Sequence, residues 1–414
     1  MMSDVAERIS MIRRGDVPPH YRKTKIGIYP KDWTLTSMGD CICEYREISN
    51  NINEIPVYSS SRNGLIPQAE YYDGKEAVQT NIGYKVVPPD YITYRHMSDD
   101  DIFHFNMNQT GGNILVSSEY PVFTVSDKAE LGFILSVLNN TPRFRYFCGM
   151  RKLGGTRTRL YFKNLCAYQF YIPPLAEQKK ISEILAQCDK VIELYQREIE
   201  ELKNLKKGYM KKMFPAKDTS FPEIRFPRFT QPWEQRKLGE TCKITMGQSP
   251  DGETYSDTPS DYILVQGNAD LKDGWVLPRI WTTQKTKTAE AGDIIMSVRA
   301  PAGTIGKTAY DVVLGRGVAG IKGNEFIHQT LLKMNFDGYW RKFAAGSTFE
   351  SINSDAISNA EIMIPDIEEQ QLLGKFFNQQ DYIIGLYQKK IEEMEQKKES
   401  LIQLLLTGIV RVKP

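Results

Sequence analysis

Several strings in this 414-residue chain have residue types that could do chemistry, and each fails on spacing or context. Pro250-Asp251 followed by Asp270-Leu271-Lys272 has the acid and acid-x-Lys types of a nuclease site, but Asp251-Gly252 reads as a turn and such strings arise by chance. Gly315-Arg316-Gly317-Val318-Ala319-Gly320 fits GxGxxG. A dinucleotide site needs a strand before that string and a long helix after it. Here Ile321-Lys322-Gly323 follows, a strand leading to another turn, so a glycine cluster in a β-hairpin is expected. Gly306-Lys307-Thr308 ends like a phosphate-binding loop, yet Pro301 stands where the motif needs its first glycine, and Gly303 is too close. The four histidines (His20, His96, His104 and His328) have no ligand spacing. The Asn-Pro-Pro-aromatic string of amino-methyltransferases does not occur, and Pro88-Pro89-Asp90-Tyr91 has the wrong order. The expectation is a chain with no catalytic residues, no cofactor-binding residues and no metal ligands of its own.

The basic residues suggest binding instead. Residues 143–163 hold seven Lys/Arg (Arg143, Arg145, Arg151, Lys152, Arg157, Arg159 and Lys163) and no acid, with Tyr146, Tyr161 and three Phe among them. An arginine fork matches guanine edges and phosphates bidentately. A Gly-Gly turn carrying Arg157 and Arg159 would present that fork to a groove. Further along, Arg279, Lys285 and Lys287 flank a Trp-containing hairpin, and Arg299, Lys307, Arg316, Arg341 and Lys342 lie near turns. Any one of these is as readily part of a solvated basic face; the clustering carries the argument.

Composition sets the frame. With 41% hydrophobic and 25% charged residues, the chain reads as folded rather than disordered. Its length suits two or three domains. No apolar run approaches the roughly 18–20 residues of a membrane span. The charged N-terminus lacks the apolar core of a secretory signal. Six cysteines without a CxxC pair point to reduced thiols and a cytoplasmic setting. A net charge of +2 is far from that of a non-specific DNA binder, so any nucleic-acid surface must be local.

The elements that would position these residues come in two copies. Residues 172–206 read IPPLAEQKKISEILAQCDKVIELYQREIEELKNLK, and residues 364–398 read IPDIEEQQLLGKFFNQQDYIIGLYQKKIEEMEQKK. The offset is 192 without a gap, and 14 of the 35 positions are identical. A repeat this long divides the protein into two similar halves, each a globular segment followed by a long helix. Apolar residues at Ile181, Ile184, Cys188, Val191, Tyr195, Leu202 and Leu205, with a second row at Leu185, Ile192 and Ile199, give a coiled-coil-like face. Pro215 ends the first helix, which at 1.5 Å per residue would run roughly 57 Å. Asp32-Trp33…Gly39 is echoed by Pro232-Trp233…Gly239 at an offset of 200. Gly154-Gly155-Thr156 and Gly346-Ser347-Thr348 precede the two Ile-Pro pairs, while the middles of the halves do not align. The expected fold is α+β: two mixed, β-rich domains separated by two long antiparallel coiled-coil helices. The boundaries are a helix and tether over 1–25, a first recognition domain over 26–172 and a spacer helix over 173–214. Beyond them come a linker over 215–230, a second recognition domain over 231–364 and a spacer helix over 365–414. Within the first domain, β-rich runs are expected over 77–87 and 114–125, with turns at Asp73-Gly74 and Gly111-Gly112, and a helix over 131–150.

This pattern resembles the specificity subunit of type I restriction–modification systems over essentially the whole chain. The resemblance rests on an N-terminal helix leading to Tyr29-Pro30-Lys31-Asp32-Trp33, the Gly-x-Thr segments and both Ile-Pro…Glu-Gln helices. It also rests on residues 292–303 (GDIIMSVRAPAG) with 314–320 (LGRGVAG), which look like a common variety of that family's target-recognition domain. The resemblance implies that each globular half reads half of a bipartite DNA sequence and that the helices space the halves and bind two methyltransferase subunits. Those partners would hold S-adenosylmethionine, and a separate motor–nuclease subunit would use ATP and magnesium. Candidate DNA-binding residues are Arg151, Lys152, Arg157, Arg159, Lys163, Arg299, Lys307 and Arg316, with Arg157 and Arg159 expected to contact the first half-site and Arg299 and Arg316 the second; which of them meet bases and which phosphates does not follow from the sequence. The competing readings are a two-domain coiled-coil adaptor that binds proteins and a self-sufficient modification enzyme; a neighbouring methyltransferase gene would separate them from the first.

If helix length sets the unread gap, inserting four residues near Lys203 adds about 6 Å of rise, or about two base pairs at 3.4 Å each. Methylation mapping of the variant should show both half-sites unchanged around a wider gap; an unaltered gap refutes the ruler.

Overall fold

The computed structural model describes residues 2–72, 83–152, 157–344 and 351–412. Asp73-Gly74, residues 77–82 of the expected β-run, and both Gly-x-Thr segments lie outside the described residues. Five helices frame the two halves: α1 (Met2–Arg14), α2 (Leu131–Asn140), α3 (Leu175–Met213), α4 (Glu325–Phe336) and α5 (Ile367–Leu406). The chain divides into two compact units, residues 1–193 with 392–414 and residues 194–391. Each unit takes a globular segment together with part of both long helices. The cause is burial: Ile181, Leu185, Ile402 and Leu405 belong to the same core as Phe133 and Phe123, and Met210, Leu373 and Phe377 belong to the core of Phe326 and Ile294.

In the first unit, a four-stranded antiparallel sheet runs in the order Phe105–Met107, Ile92–Tyr94, Val122–Val125, Ile42–Tyr45. A three-stranded antiparallel sheet of Ile114–Val116, Tyr84–Val87 and Ile48–Ser49 lies in the same unit. The expected helix over 131–150 is two helices, because Pro142 cannot continue α2 and instead opens a new helix, Pro142–Gly149. In the second unit a six-stranded sheet (Lys243–Met246, Val318–Lys322, Ile294–Ser297, Ile305–Lys307, Trp275–Val276, Leu271–Lys272) accompanies a five-stranded one. Both include a parallel pairing, Trp275 with Lys307 and Tyr262–Val265 with Val312–Leu314. The middles of the two halves therefore differ in topology as well as in sequence.

The supports repeat. Thr34–Ser37 pairs with Gln169–Ile172, Thr34 opposite Ile172; Glu234–Lys237 pairs with Glu361–Ile364, Glu234 opposite Ile364. Each pairing begins beside a buried Trp, Trp33 or Trp233, and ends at an Ile-Pro. The repeated glycines serve a close approach: a Cβ on Gly39 would lie 3.3 Å from the Cys166 carbonyl oxygen, and one on Gly239 would lie 3.1 Å from that of Ser358.

The repeated Glu-Gln opens each long helix and has one job per side chain. Gln178 accepts from the backbone N–H of Glu130, the N-cap of α2, and Gln370 accepts from the side chain of Asn324, the N-cap of α4. Both glutamines also donate to the carbonyl five residues back, Pro173 or Pro365, at 2.9 Å. The carboxylates of Glu177 and Glu369 are buried, and each receives a bidentate arginine from a distant strap. Arg411, near the C-terminus, reaches Glu177 at 2.7 Å through both Nε and Nη2; Arg225, in the linker, reaches Glu369 at 2.8 and 2.7 Å. Arg411 also binds Asp32, and its guanidinium is held charged above its ordinary range by Glu177 first and Asp32 next.

Within each unit the long helices run antiparallel. In the first, Asp189 meets Lys398 while Ile181 and Leu185 share a core with Ile402 and Leu405. In the second, Tyr195 packs on Tyr387, Lys206 on Asp381 and Tyr209 on Phe376. The buried seam of α3 steps by seven through Leu185, Ile192, Ile199, Lys206 and Met213; Leu205 of the expected stripe is instead 50% exposed. A lysine thus occupies a seam position, its ammonium 2.6 Å from Asp381. Its pKa is lowered by burial, against the pull of Asp381. Lys398 holds the equivalent place at the 192-residue offset, on Asp189. Paired polar groups in an apolar seam favour one register over its neighbours.

Removing one partner of a buried pair leaves the other charge uncompensated, at about 3–5 kcal/mol. Glu369→Leu should lower urea stability by about that amount, and adding Arg225→Met should restore most of it. Glu290→Ala, which removes an exposed partner of Lys322, should leave the urea midpoint unchanged.

Candidate nucleic-acid interface

In the first unit the strand pairing of Met97–Ser98 with Thr158–Arg159 decides where the basic residues point. It brings the acids Asp99, Asp100 and Asp101 beside a segment that has none of its own. Arg157 donates to Asp99 at 2.8 Å, Arg62 to Asp100 at 2.6 Å, and Thr158 to Asp101. The Arg157 pair is exposed, of the kind worth about 0–1 kcal/mol, so another anion can replace Asp99 at little cost. Arg159, opposite Met97, is exposed; so are Lys152 and Lys163. Arg151 is half-buried, with its guanidinium 4.6 Å from the Phe147 ring centre. Tyr161 is 50% exposed and stacks on His96, whose pKa burial lowers. A cleft of about 240 Å³ adjoins this surface, lined among others by Arg62, Asn63, Tyr71, Arg95 and Asp99.

In the second unit four loops meet around glycines. Val298 donates to the carbonyl of Gly317, Gly315 to that of Val265, Gln248 to that of Leu314, and the Arg316 N–H to the Ser249 hydroxyl. A Cβ on Gly247 would sit 2.0 Å from the Gly315 oxygen, and one on Gly317 would sit 2.0 Å from the Gln266 oxygen. The GxGxxG string is therefore not a hairpin. Val312–Leu314 belongs to the five-stranded sheet and Val318–Lys322 to the six-stranded one, and the glycines let the chain cross between them. Arg299 and Arg316 are exposed on adjacent loops of this junction. Gln248 and Gln266, with the same capacity to pair with a base edge, flank the same contacts. Sequence reasoning passed over both glutamines, although Gln248 adjoins Gly247, a glycine where the backbone is held close to a neighbour.

Lys307 does not join this group. It pairs with Ile294 at the far end of the strand from Ser297, and its half-buried ammonium binds Glu325 and lies over Trp275 at 5.4 Å. Among the described residues no His, Cys, Asp or Glu cluster has the form of a metal site, and all six cysteines are free.

The family model described as the type I restriction modification DNA specificity domain matches residues 32–204 and again 230–396. The chain belongs to that family, and its function is that of the DNA specificity subunit of a type I restriction–modification system. That is a recognition role and not a catalytic one, and the protein-binding adaptor reading is not favoured. Over 417 aligned residues it is 27% identical to a protein of Methanocaldococcus jannaschii assigned as the type I restriction enzyme MjaX specificity subunit, covering 95% of this chain and 97% of the other. The MjaVIII specificity subunit of the same organism is 26% identical over 264 residues, 58% of this chain and 62% of that one. Among solved structures, the S subunit of a type I system from M. genitalium shares the fold at a TM-score of 0.56 and 13% identity, covering 90% of this chain and 96% of that one. A chain from a study of type I R-M complex assembly and conformational transition does so at 0.55 and 18%, covering 92% and 99%.

Gly317→Ala should force the Gln266 loop away and cost about 1–3 kcal/mol, as overpacking does. Gly252→Ala, whose Cβ meets nothing within 4 Å, should be tolerated. Urea unfolding of the two variants checks the contrast; equal stability would mean that the junction is loose.

Proposed function

We propose that this specificity subunit reads a bipartite DNA sequence, one half with each globular segment, while the long helices set the unread gap and dock two methyltransferase subunits. The observation that supports this reading is the duplicated support. The same Glu–Arg and Asp–Lys pairs recur in each unit, around β-rich middles of unlike topology. Two different readers on one repeated mount suit a target of two different halves. S-adenosylmethionine would be held by the methyltransferase partners, and ATP and magnesium by a motor–nuclease partner where one exists. The setting would be the cytoplasm; no helix among the described residues is long and apolar enough to cross a membrane.

Arg159 in the first unit and Arg299 and Arg316 in the second are the base readers in this proposal. Arg pairs bidentately with guanine, and Gln248 and Gln266 supply the group that suits adenine. Arg151, Lys152 and Lys163 position the backbone through phosphates, and Arg157 joins them by exchanging Asp99 for DNA. Lys307 is left out, since Glu325 already holds it.

Co-expression with a methyltransferase partner, followed by mapping of N6-methyladenine, should reveal two short sequences around a fixed gap. Arg159→Ala or Arg316→Ala should cost about 1–3 kcal/mol and relax one position, whereas Lys152→Ala should weaken binding evenly and reduce the salt slope by about 1. A soluble complex that adds no methylation defeats the bipartite reading; indifference to all these variants defeats the residue assignment.

A further inference from the structure

A cavity of about 460 Å³ in the second unit shares no residue with the loop junction. Its volume lies in the range of small-molecule sites, about 300–1,000 Å³. Lysines dominate its charge. Lys203, Lys206, Lys207 and Lys307 line it against Asp273 and Asp381. Lys206 is taken by Asp381 and Lys307 by Glu325, while Lys203 has a distant carboxylate, Glu200 at 3.8 Å. Lys207 has no carboxylate partner among the described residues; its ammonium lies 5.1 Å from the Phe336 ring centre. The surplus charge faces the cavity beside two half-exposed rings, Trp275 at 48% and Phe336 at 41%, each with ammonium groups over it: Lys307 on Trp275, and Lys207 and Lys211 on Phe336.

Two further observations mark this as a built site. His328 lines the cavity at 7% exposure, yet its Nε2 has no hydrogen-bond partner. Buried polar atoms are nearly always bonded, and this nitrogen, closed off from solvent beside the cavity, is an exception. Burial drives the His328 pKa down to about 4, so near neutral pH the ring carries no charge to repel a cationic wall or attract an anion. Gly385 lies in the interior of α5, where glycine is a poor helix former. No neighbour demands it: its Cβ position has nothing within 4 Å, whereas a Cβ on Gly374 would lie 2.7 Å from that of Glu325. What Gly385 supplies is room on the cavity wall.

We propose that this cavity binds a nucleoside polyphosphate, with its base against the aromatic rings of Trp275 and Phe336 and its phosphates on Lys203 and Lys207. This site is independent of DNA reading. It places a small-molecule input where the helices meet the second recognition domain.

The test is equilibrium dialysis of the full chain against ATP, with inorganic triphosphate as competitor and tryptophan fluorescence as a second readout. Saturable binding at one site per chain is expected, with quenching that disappears in Trp275→Phe. Lys207→Ala should weaken ATP about tenfold, as loss of one charge-assisted contact does. Gly385→Leu should abolish binding while the thermal midpoint holds or rises; Gly385→Ala, with less bulk, should weaken it. Absence of saturable ATP binding by the wild-type chain overturns the proposal, as does binding indifferent to Gly385→Leu. Displacement of ATP by short duplex DNA, with DNA affinity falling in Lys207→Ala, would assign the lysines to the DNA backbone and also overturn it. None of these three outcomes touches the bipartite reading, which the methylation map tests separately.

Discussion

A buried carboxylate at the first turn of each long helix is the constraint on which the rest depends. An unpaired buried carboxylate is untenable, so Glu177 and Glu369 each require a guanidinium delivered from elsewhere in the chain. The delivering segments, the C-terminal tail and the central linker, must therefore lie across the start of the helix. The neighbouring glutamine then ties the same turn to the N-cap of α2 or α4, which fastens helix to globular segment. Trp33 adds its indole N–H to Glu177 at 3.2 Å, so one carboxylate gathers strand, strap and helix. Trp233 is as buried but its indole N–H makes no such bond, so the two copies are alike in plan and not in every contact.

The seam lysines answer a different need. Leucine or isoleucine at Lys206 and Lys398 would give a more apolar helix pair, yet one less particular about its alignment. A lysine facing an aspartate across the seam makes a shifted register costly, above all at Lys206, whose buried ammonium would then lose Asp381. Stability is exchanged for a defined pairing of the helices within each unit. The exposed loop side chains of the middles, Arg299, Arg316 and Gln248 among them, can change without disturbing a buried charge, although the second middle holds one of its own in Asp270, which accepts from the backbone N–H groups of Gln266 and Gly267.

Much of this was legible in the sequence, and the gaps share a cause. The repeat announced both helices, and Pro215 marked where the first stops. The Ile-Pro…Glu-Gln string marked where each begins, and the purpose of its Glu and Gln needed the partners Arg411, Arg225, Glu130 and Asn324, up to 234 residues away. The row Leu185, Ile192 and Ile199 continues by seven to Lys206, which the expected stripe left out, because a lysine there reads as a break in the pattern until Asp381 is seen beside it. The basic segment around Arg157 looked free of acids because Asp99 to Asp101 arrive through a two-residue strand pairing that no local signal announces. For the same reason Lys307 resembled a surface cation, and the Gly315–Gly320 string a hairpin, until the sheets that each belongs to were known.

The last residues of a chain are ordinarily where trimming is harmless, since few contacts hold them. Here Arg411 sits on Glu177 and Asp32, Tyr21 donates to the Gly408 carbonyl, and Arg8 of α1 donates to that of Ile409. A protease cut just before Arg411 would therefore act as a core lesion. It would expel the cation from the buried carboxylate and leave the first unit with the defect of a charge-deletion mutant.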